Sequence, residues 1–208
     1  MQLEPAAFNE FLGNIGQSLS LRRATECPCV SPVTGGTDQS CPHCGGKGYA
    51  WGSAITGVAA PAGQKIQRQW AELGRWEPGD IVVTIPADSP VYAMGLHDRA
   101  VMLNQSEPFS TTRVHGGETL DFPVVAIESV YWLNVSKVPV TGGVPTVNSN
   151  GTLTWSAGEP PSGATYSITG RRRPEFFCFQ ELPQDRPVHF GAALPRRVVL
   201  RRFDLWGR

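Results

Sequence analysis

Two short cysteine pairs constrain this chain more than any other feature: Cys27-Pro28-Cys29, then Cys41-Pro42-His43-Cys44 followed by Gly45-Gly46-Lys47-Gly48-Tyr49. Zinc takes four tetrahedral thiolate or imidazole ligands, and two such pairs about a dozen residues apart can supply them. A Cys-x-x-Cys turn points both sulfurs at one metal. The glycines behind it let the backbone turn tightly and aim amides at the thiolates. Disulfides and free thiols are the competing readings. Cys27 and Cys29 sit too close to bridge each other easily, so disulfides would have to cross between the pairs. The spacing favours a four-cysteine zinc site of Cys27, Cys29, Cys41 and Cys44 over either, with His43 as a minor alternative ligand. Cys178, inside Phe176-Phe177-Cys178-Phe179, reads as a small core residue.

Four thiolates complete the coordination shell and leave no position for water, so the expected Zn2+ is structural and not catalytic. The run Cys-Pro-His-Cys-Gly-Gly-Lys-Gly-Tyr also resembles one half-repeat of the cysteine-rich region of J-domain co-chaperones. That family carries several such repeats and a J domain with His-Pro-Asp. Here there is one incomplete unit and no His-Pro-Asp, so a chaperone function does not follow.

A chain of 208 residues can bury a sizeable core, as one domain with an appendage or as two small domains. It has no run of about 18 uncharged apolar residues, and its start, Met-Gln-Leu-Glu-Pro, does not have the form of a signal peptide. No membrane partner is expected, and the unpaired-thiol pattern suits synthesis in a reducing cytoplasm. Net charge is zero but lopsided: residues 171–208 hold 9 arginines against 4 acids, whereas residues 1–170 hold 9 bases against 14 acids. Arginine outnumbers lysine 15 to 3, which suits planar pairing with carboxylates or phosphates. Contact between one subunit's basic tail and another's acidic body is favoured over nucleic acid, because zero net charge attracts DNA weakly at long range.

Phe8, Phe11, Leu12, Ile15 and Leu19 follow helical spacing and predict an amphipathic helix over 5–21, with Pro5 in its first turn and Arg22-Arg23 near its end. Gly13 and Gly16 weaken it. The stretch from Gln64 fits a helical face (Ile66, Trp70, Leu73) or an alternating strand (Ile66, Arg68, Trp70), and the turn at Glu77-Pro78-Gly79-Asp80 before Ile81–Ile85 tips it to strand. Further short strands are expected at 100–103, 124–127, 130–135, 153–155, 166–169, 176–180 and 198–203. Asn150-Gly151 between Thr146-Val147 and Thr152-Leu153 is a two-residue hairpin signal.

The expected fold is therefore mainly β, an antiparallel barrel or sandwich with an N-terminal α-helix and a small four-cysteine zinc loop. The expected organisation is a helix or arm over 1–24, the zinc loop over 25–52 and a β body over 53–195. A hairpin projects from that body at about 138–170, and an arginine-rich assembly arm covers 196–208. The stretch around Leu153-Thr154-Trp155 and Tyr166-Ser167-Ile168 faintly resembles a fibronectin type III strand pair, but is too short for a separate sandwich.

No catalytic set stands out. His43, His97, His115 and His189 are dispersed, and neither Gly-x-Ser-x-Gly nor a Walker-type phosphate loop occurs. Asp98-Arg99 reads as two residues that each bond a neighbouring loop or subunit. The chain is expected not to be an enzyme.

The order of features resembles a family of structural proteins from the head–tail connector, or neck, of tailed bacteriophages. The matching pieces are the cysteine motif, then Gly79-Asp80-Ile81 through Pro86 with Asp88-Ser89-Pro90, and Asp98-Arg99. Gly151-Thr152-Leu153-Thr154-Trp155 with Pro160 through Tyr166 follows, and last comes Leu194 through Arg208. The resemblance implies a head-completion protein of the virion, synthesised in the host cytoplasm and present as a homo-oligomeric ring. Its partners would be other neck, portal or tail proteins, with genomic DNA passing by. A nucleic-acid-binding zinc protein and a tail or baseplate component are the alternatives. The terminal segment is expected to add a strand to a neighbouring subunit through Arg196, Arg197, Arg201, Arg202, Phe203 and Trp206, and its deletion to leave a folded body.

Overall fold

The computed structural model describes residues 4–72, 74–184 and 187–206. Its elements in chain order are α1 (Pro5–Ile15), β1 (Gln17–Glu26), β2 (Tyr49–Pro61), α2 (Gln64–Glu72), β3 (Ile81–Ile85), β4 (Arg99–Met102), β5 (Glu107–Val114), β6 (Val124–Leu133), β7 (Pro139–Thr141), β8 (Thr146–Val147), β9 (Leu153–Thr154), β10 (Thr165–Arg172), β11 (Glu175–Glu181), β12 (Val188–His189), β13 (Ala192–Ala193) and β14 (Arg196–Arg202). A short 3-10 turn, Phe203–Leu205, follows. The mainly β, antiparallel expectation with an N-terminal helix is what the chain adopts. Two compact units divide it, one built from the residues up to Asn104 and those from Glu175 on, the other from Gln105–Pro174.

In the first unit six strands close a barrel in the order β1-β2-β3-β14-β11-β4, and β4 pairs back to β1. Every pairing is antiparallel. Closure removes free edges, which a short-stranded sheet would otherwise expose to other chains. Alternation along the strands sends Leu19, Leu21, Val83, Ile85, Phe176, Cys178, Val198 and Leu200 into one core. Cys178 is wholly buried there, as its aromatic surroundings predicted.

Three expectations for this unit are corrected. The helix predicted over 5–21 stops at Ile15, and residues from Gln17 form β1. Leu19 and Leu21 are both fully buried with a spacing of two, which a strand satisfies and a helix cannot. Gly16 makes the change of direction possible, because a Cβ there would lie 2.1 Å from Val58 Cγ1 and 2.8 Å from the Leu12 carbonyl oxygen. The segment read as a strand from Gln64 is instead α2: Ile66 and Trp70 lie one turn apart and pack with Val82 and Val199. Gln67, between them, accepts from the Val82 N–H at 3.0 Å and donates to the Val82 carbonyl at 3.0 Å, standing in for a strand neighbour.

The third correction concerns the terminal arm. Residues 196–202 are β14, a barrel strand held between β3 and β11, with Val198, Val199 and Leu200 completely buried. Removing it would open the barrel, so the chain without residues 196–208 cannot keep this body folded. The run alternates poorly because the strand is covered on both faces: Val198 and Leu200 meet the barrel core, and Val199 meets Trp70 of α2.

The second unit replaces the expected projecting hairpin. A four-stranded antiparallel sheet, in the order β5-β10-β6-β7, covers a core of Phe109, Leu120, Val130, Tyr166 and Ile168. The small β8–β9 hairpin supplies Val147 and Leu153 to the same core. Its turn is longer than the Asn150-Gly151 pair alone predicts: the Asn148 N–H donates to the Thr152 carbonyl at 2.9 Å, enclosing residues 149–151.

Candidate metal centre

The β1–β2 ladder runs to its last pair, Glu26 with Tyr49, and residues 27–48 form the loop between them. Both cysteine pairs therefore leave the barrel from adjacent positions. The Cys27 N–H donates to the Gly48 carbonyl at 2.8 Å and closes the base of the loop. Within each pair a tight turn follows: the Val30 N–H reaches the Cys27 carbonyl at 3.0 Å, and the Gly45 N–H reaches the Cys41 carbonyl at 2.9 Å. Asp38 accepts from the Ser40 N–H at 2.8 Å and from its hydroxyl at 2.7 Å, fixing the approach to Cys41. Those bonds hold the Asp38 carboxyl below the usual carboxylate range. Gly48 has φ 77°, a left-handed conformation that suits glycine, and it reverses the chain between Cys44 and β2.

The four cysteine sulfurs lie within 4.8 Å of one another. Cys27 Sγ is 3.8 Å from Cys41 Sγ, and Cys29 Sγ is 3.5 Å from Cys44 Sγ. Bonds of about 2.3 Å at tetrahedral angles around zinc would set sulfurs about 3.8 Å apart, whereas a disulfide needs about 2.05 Å. The donor set and its spacing thus fit one tetrahedral thiolate-bound cation, and all four cysteines are free thiols. Cys27, Cys41 and Cys44 are buried and Cys29 half-buried. His43, the alternative ligand, is exposed and stands outside the cluster. Among the described residues no other group of three or more Cys, His, Asp or Glu donors converges in this way.

The four thiols crowd one another. Burial and the neighbouring thiols push Cys29 up to about 12. Burial pushes Cys44 in the same direction, but the Gly48 amide and the other thiols outweigh it and bring Cys44 down to about 7. A divalent cation would take the place of the protons that such a cluster retains at neutral pH.

The C-terminal residues predicted to be assembly contacts lie against this same region or along the barrel wall. Trp206 packs edge-on against Tyr49 and Trp51, with centroids 5.6 Å away in both cases, and against Phe177 at 4.7 Å. Phe203 meets Trp51 at 5.3 Å and lies under the Arg99 guanidinium at 4.3 Å. Arg201 forms a two-point ion pair with buried Asp80, Nε–Oδ1 at 3.0 Å and Nη2–Oδ2 at 2.8 Å, and its guanidinium covers Phe179. Arg196 pairs with Glu181 at 2.9 Å, and Arg202 lies over Phe176. Of the six, Arg197 is the exposed one. The aromatic cluster of Tyr49, Trp51, His97, Phe177, Phe203 and Trp206 was not legible in the sequence, because its members come from four separate segments. Its one hint is the spacing of Tyr49 and Trp51, which puts both on the same side of β2.

Buried carboxylates elsewhere are consumed in structural bonds. Asp98 accepts from the N–H groups of Ala24 at 2.7 Å and Gly95 at 2.9 Å and pairs with Arg23 at 3.2 Å; its sequence neighbour Arg99 bonds Glu175 instead. In the second unit Glu118 accepts from Tyr166 Oη at 2.6 Å and from the N–H groups of Gly116 and Gly117, with His115 Nδ1 at 3.3 Å. Burial opposes ionisation of Glu118, yet these bonds bring it down to about 2. No described helix is long and apolar enough to cross a membrane. No family model matches this chain, and no curated protein matches it.

Proposed function

We propose that this chain is a non-catalytic assembly protein whose four thiolates bind one structural Zn2+, and that it serves as a subunit of the head–tail connector of a tailed-phage virion. The observation that carries the structural half of this reading is the all-thiolate donor set at tetrahedral spacing, which leaves a bound zinc no position for water or substrate. Zinc is the cation that such a set selects among common divalent ions of the cell. The buried carboxylates Asp80, Asp98 and Glu118 are each saturated by hydrogen bonds within the chain, which supports scaffolding over acid–base work. The virion assignment rests on the resemblance of the cysteine motif, the Gly79–Pro90 segment and the C-terminal run to connector proteins.

A nucleic-acid role is less well supported, since Arg196, Arg201 and Arg202 are engaged inside the chain and the cysteine loop contributes Lys47 as its lysine. Electron microscopy of the purified protein, alone and with portal or tail proteins, tests the connector reading. Closed rings that bind those partners are expected; a monomer that binds none of them overturns it. Metal analysis tests the other half, with about one zinc per chain expected.

A further inference from the structure

Four thiols gathered around one point can be joined by a metal or by bridges among themselves, and four cysteines allow three patterns of two bridges. The sulfur positions select one of the three. Cys27 Sγ lies 3.8 Å from Cys41 Sγ and Cys29 Sγ lies 3.5 Å from Cys44 Sγ, so each cysteine of the first pair approaches one of the second. Bridging needs sulfurs about 2.05 Å apart, a movement of about 1 Å or less for each of them. The two contacts share no residue, so both bridges can form in one molecule and use all four thiols. The pattern that joins sequence neighbours is poorer, because Pro28 alone separates Cys27 from Cys29 and a bridge across so short a segment is strained. Access is graded too. Cys29 is half-buried while Cys27, Cys41 and Cys44 are buried, so a small oxidant meets Cys29 first, at the closer of the two contacts.

We infer that the cluster is a redox-convertible clasp, in which a low-molecular-weight disulfide replaces the cation by two crossed bridges, Cys29–Cys44 and then Cys27–Cys41. Its starting state rests on the zinc site proposed above, whereas the choice of bridges rests on the sulfur positions. The Cys29 sulfur attacks one sulfur of the oxidant and expels a thiolate. The Cys44 sulfur then attacks Cys29 and expels the second thiolate. Cys41 and Cys27 repeat both steps with a second oxidant molecule. Each new bridge takes two electrons from its cysteines, each oxidant is reduced to two thiols that take their protons from solvent, and Zn2+ leaves with its charge unchanged. Both bridges tie the segment after β1 to the segment before β2, as the metal would, above the bond from the Cys27 N–H to the Gly48 carbonyl. The loop therefore stays closed when a chain made under reducing conditions passes to oxidising ones.

Treating the full zinc-loaded chain with oxidised glutathione should release the zinc and remove the four loop thiols, while buried Cys178 stays reduced. Stepwise reduction and alkylation should map the bridges to Cys29–Cys44 and Cys27–Cys41, with the first appearing earlier. Amide exchange in residues 27–48 should stay slow, in contrast to the chelated, reduced chain. The double variant Cys27→Ser with Cys41→Ser should still bridge within the chain, whereas Cys29→Ser with Cys41→Ser should not. Any other bridge pattern overturns the inference, as do bridges between chains, or loop thiols that persist in both the loaded and the chelated protein. A bridged loop that exchanges as fast as the chelated one overturns it as well. A chain that binds no zinc yet forms the two crossed bridges would refute the zinc reading and keep the pairing. Zinc bound together with a different bridge pattern would do the reverse.

Discussion

The indole Nε1 of Trp206 donates to the Lys47 carbonyl at 3.2 Å, which fastens the last described turn of the chain to the loop that carries the four cysteines. Lys47 follows Cys44 by three residues and its own N–H donates to the Cys44 carbonyl, so the bond runs almost directly to one of the four clustered cysteines. The last described turn and the cysteine loop therefore hold each other in place.

Removing the proposed zinc should loosen this contact. Stripping zinc with a strong chelator is expected to shift tryptophan emission to the red and to raise amide exchange in residues 27–48 and 203–206. Emission and exchange unchanged after complete metal loss would show that the loop stands without the cation.

Trp206→Ala should destabilise the first unit by about 2–3 kcal/mol, below the usual cost of a buried tryptophan because the ring is only partly covered. Trp206→Phe keeps a ring and loses the donor, and should cost about 1 kcal/mol. Denaturant midpoints decide this; a Trp206→Phe midpoint equal to wild type would mean that the bond to Lys47 contributes nothing.

Cys41→Ala and Cys44→Ala should each abolish stoichiometric zinc binding, whereas Cys178→Ala should leave it intact and lower stability by filling the barrel less well. Zinc occupancy should fall as pH falls, because protons compete for the thiolates. Colorimetric release of the metal along an acid titration measures both.

The Asp80–Arg201 pair joins α2, the turn before β3 and β14, since the carboxylate also accepts from Trp70 Nε1 at 3.2 Å and the Glu77 N–H at 3.1 Å. Asp80→Ala strands a buried guanidinium and should cost about 3–5 kcal/mol. Arg201→Lys keeps the charge but loses the two-point geometry, and should fall between that value and wild type. Thermal melts that rank the variants otherwise would refute the assignment.

Glu118 gives the second unit an acid limit. Its carboxyl is lowered from 4.5 to about 2, so the stabilisation is fully present above pH 4.5 and is lost as pH falls through about 2. Glu118→Gln should flatten that loss and lower stability at pH 7. Exchange rates of amides in β10, followed between neutral pH and about pH 2, provide the comparison.

The four-cysteine cluster was almost fully legible in the sequence, because a Cys-x-Cys and a Cys-x-x-Cys carry their local geometry in the turns between the cysteines. The clear strands, such as Ile81–Ile85 and Phe176–Gln180, were legible for the same reason: each is a run of β-formers bounded by turn residues. Residues 17–26 were not, since Leu19 continues the helical spacing of Phe8, Phe11, Leu12 and Ile15 as well as it starts an alternating one. Nor was the helix over Gln64–Glu72, whose choice between periods depends on whether Trp70 finds Val82 and Val199 beside it.

By itself the sequence determined the antiparallel β class, the four-cysteine cluster and the buried role of Cys178, all of which depend on neighbours close along the chain. Only the tertiary structure decided that residues 196–202 close a barrel, that Arg201 belongs to Asp80, and that residues 105–174 have a core of their own. Those outcomes depend on which distant strand lies next in the sheet. Strand pairing is non-local, and a run such as Val198-Val199-Leu200 reads the same whether it fills its own barrel or a neighbour's.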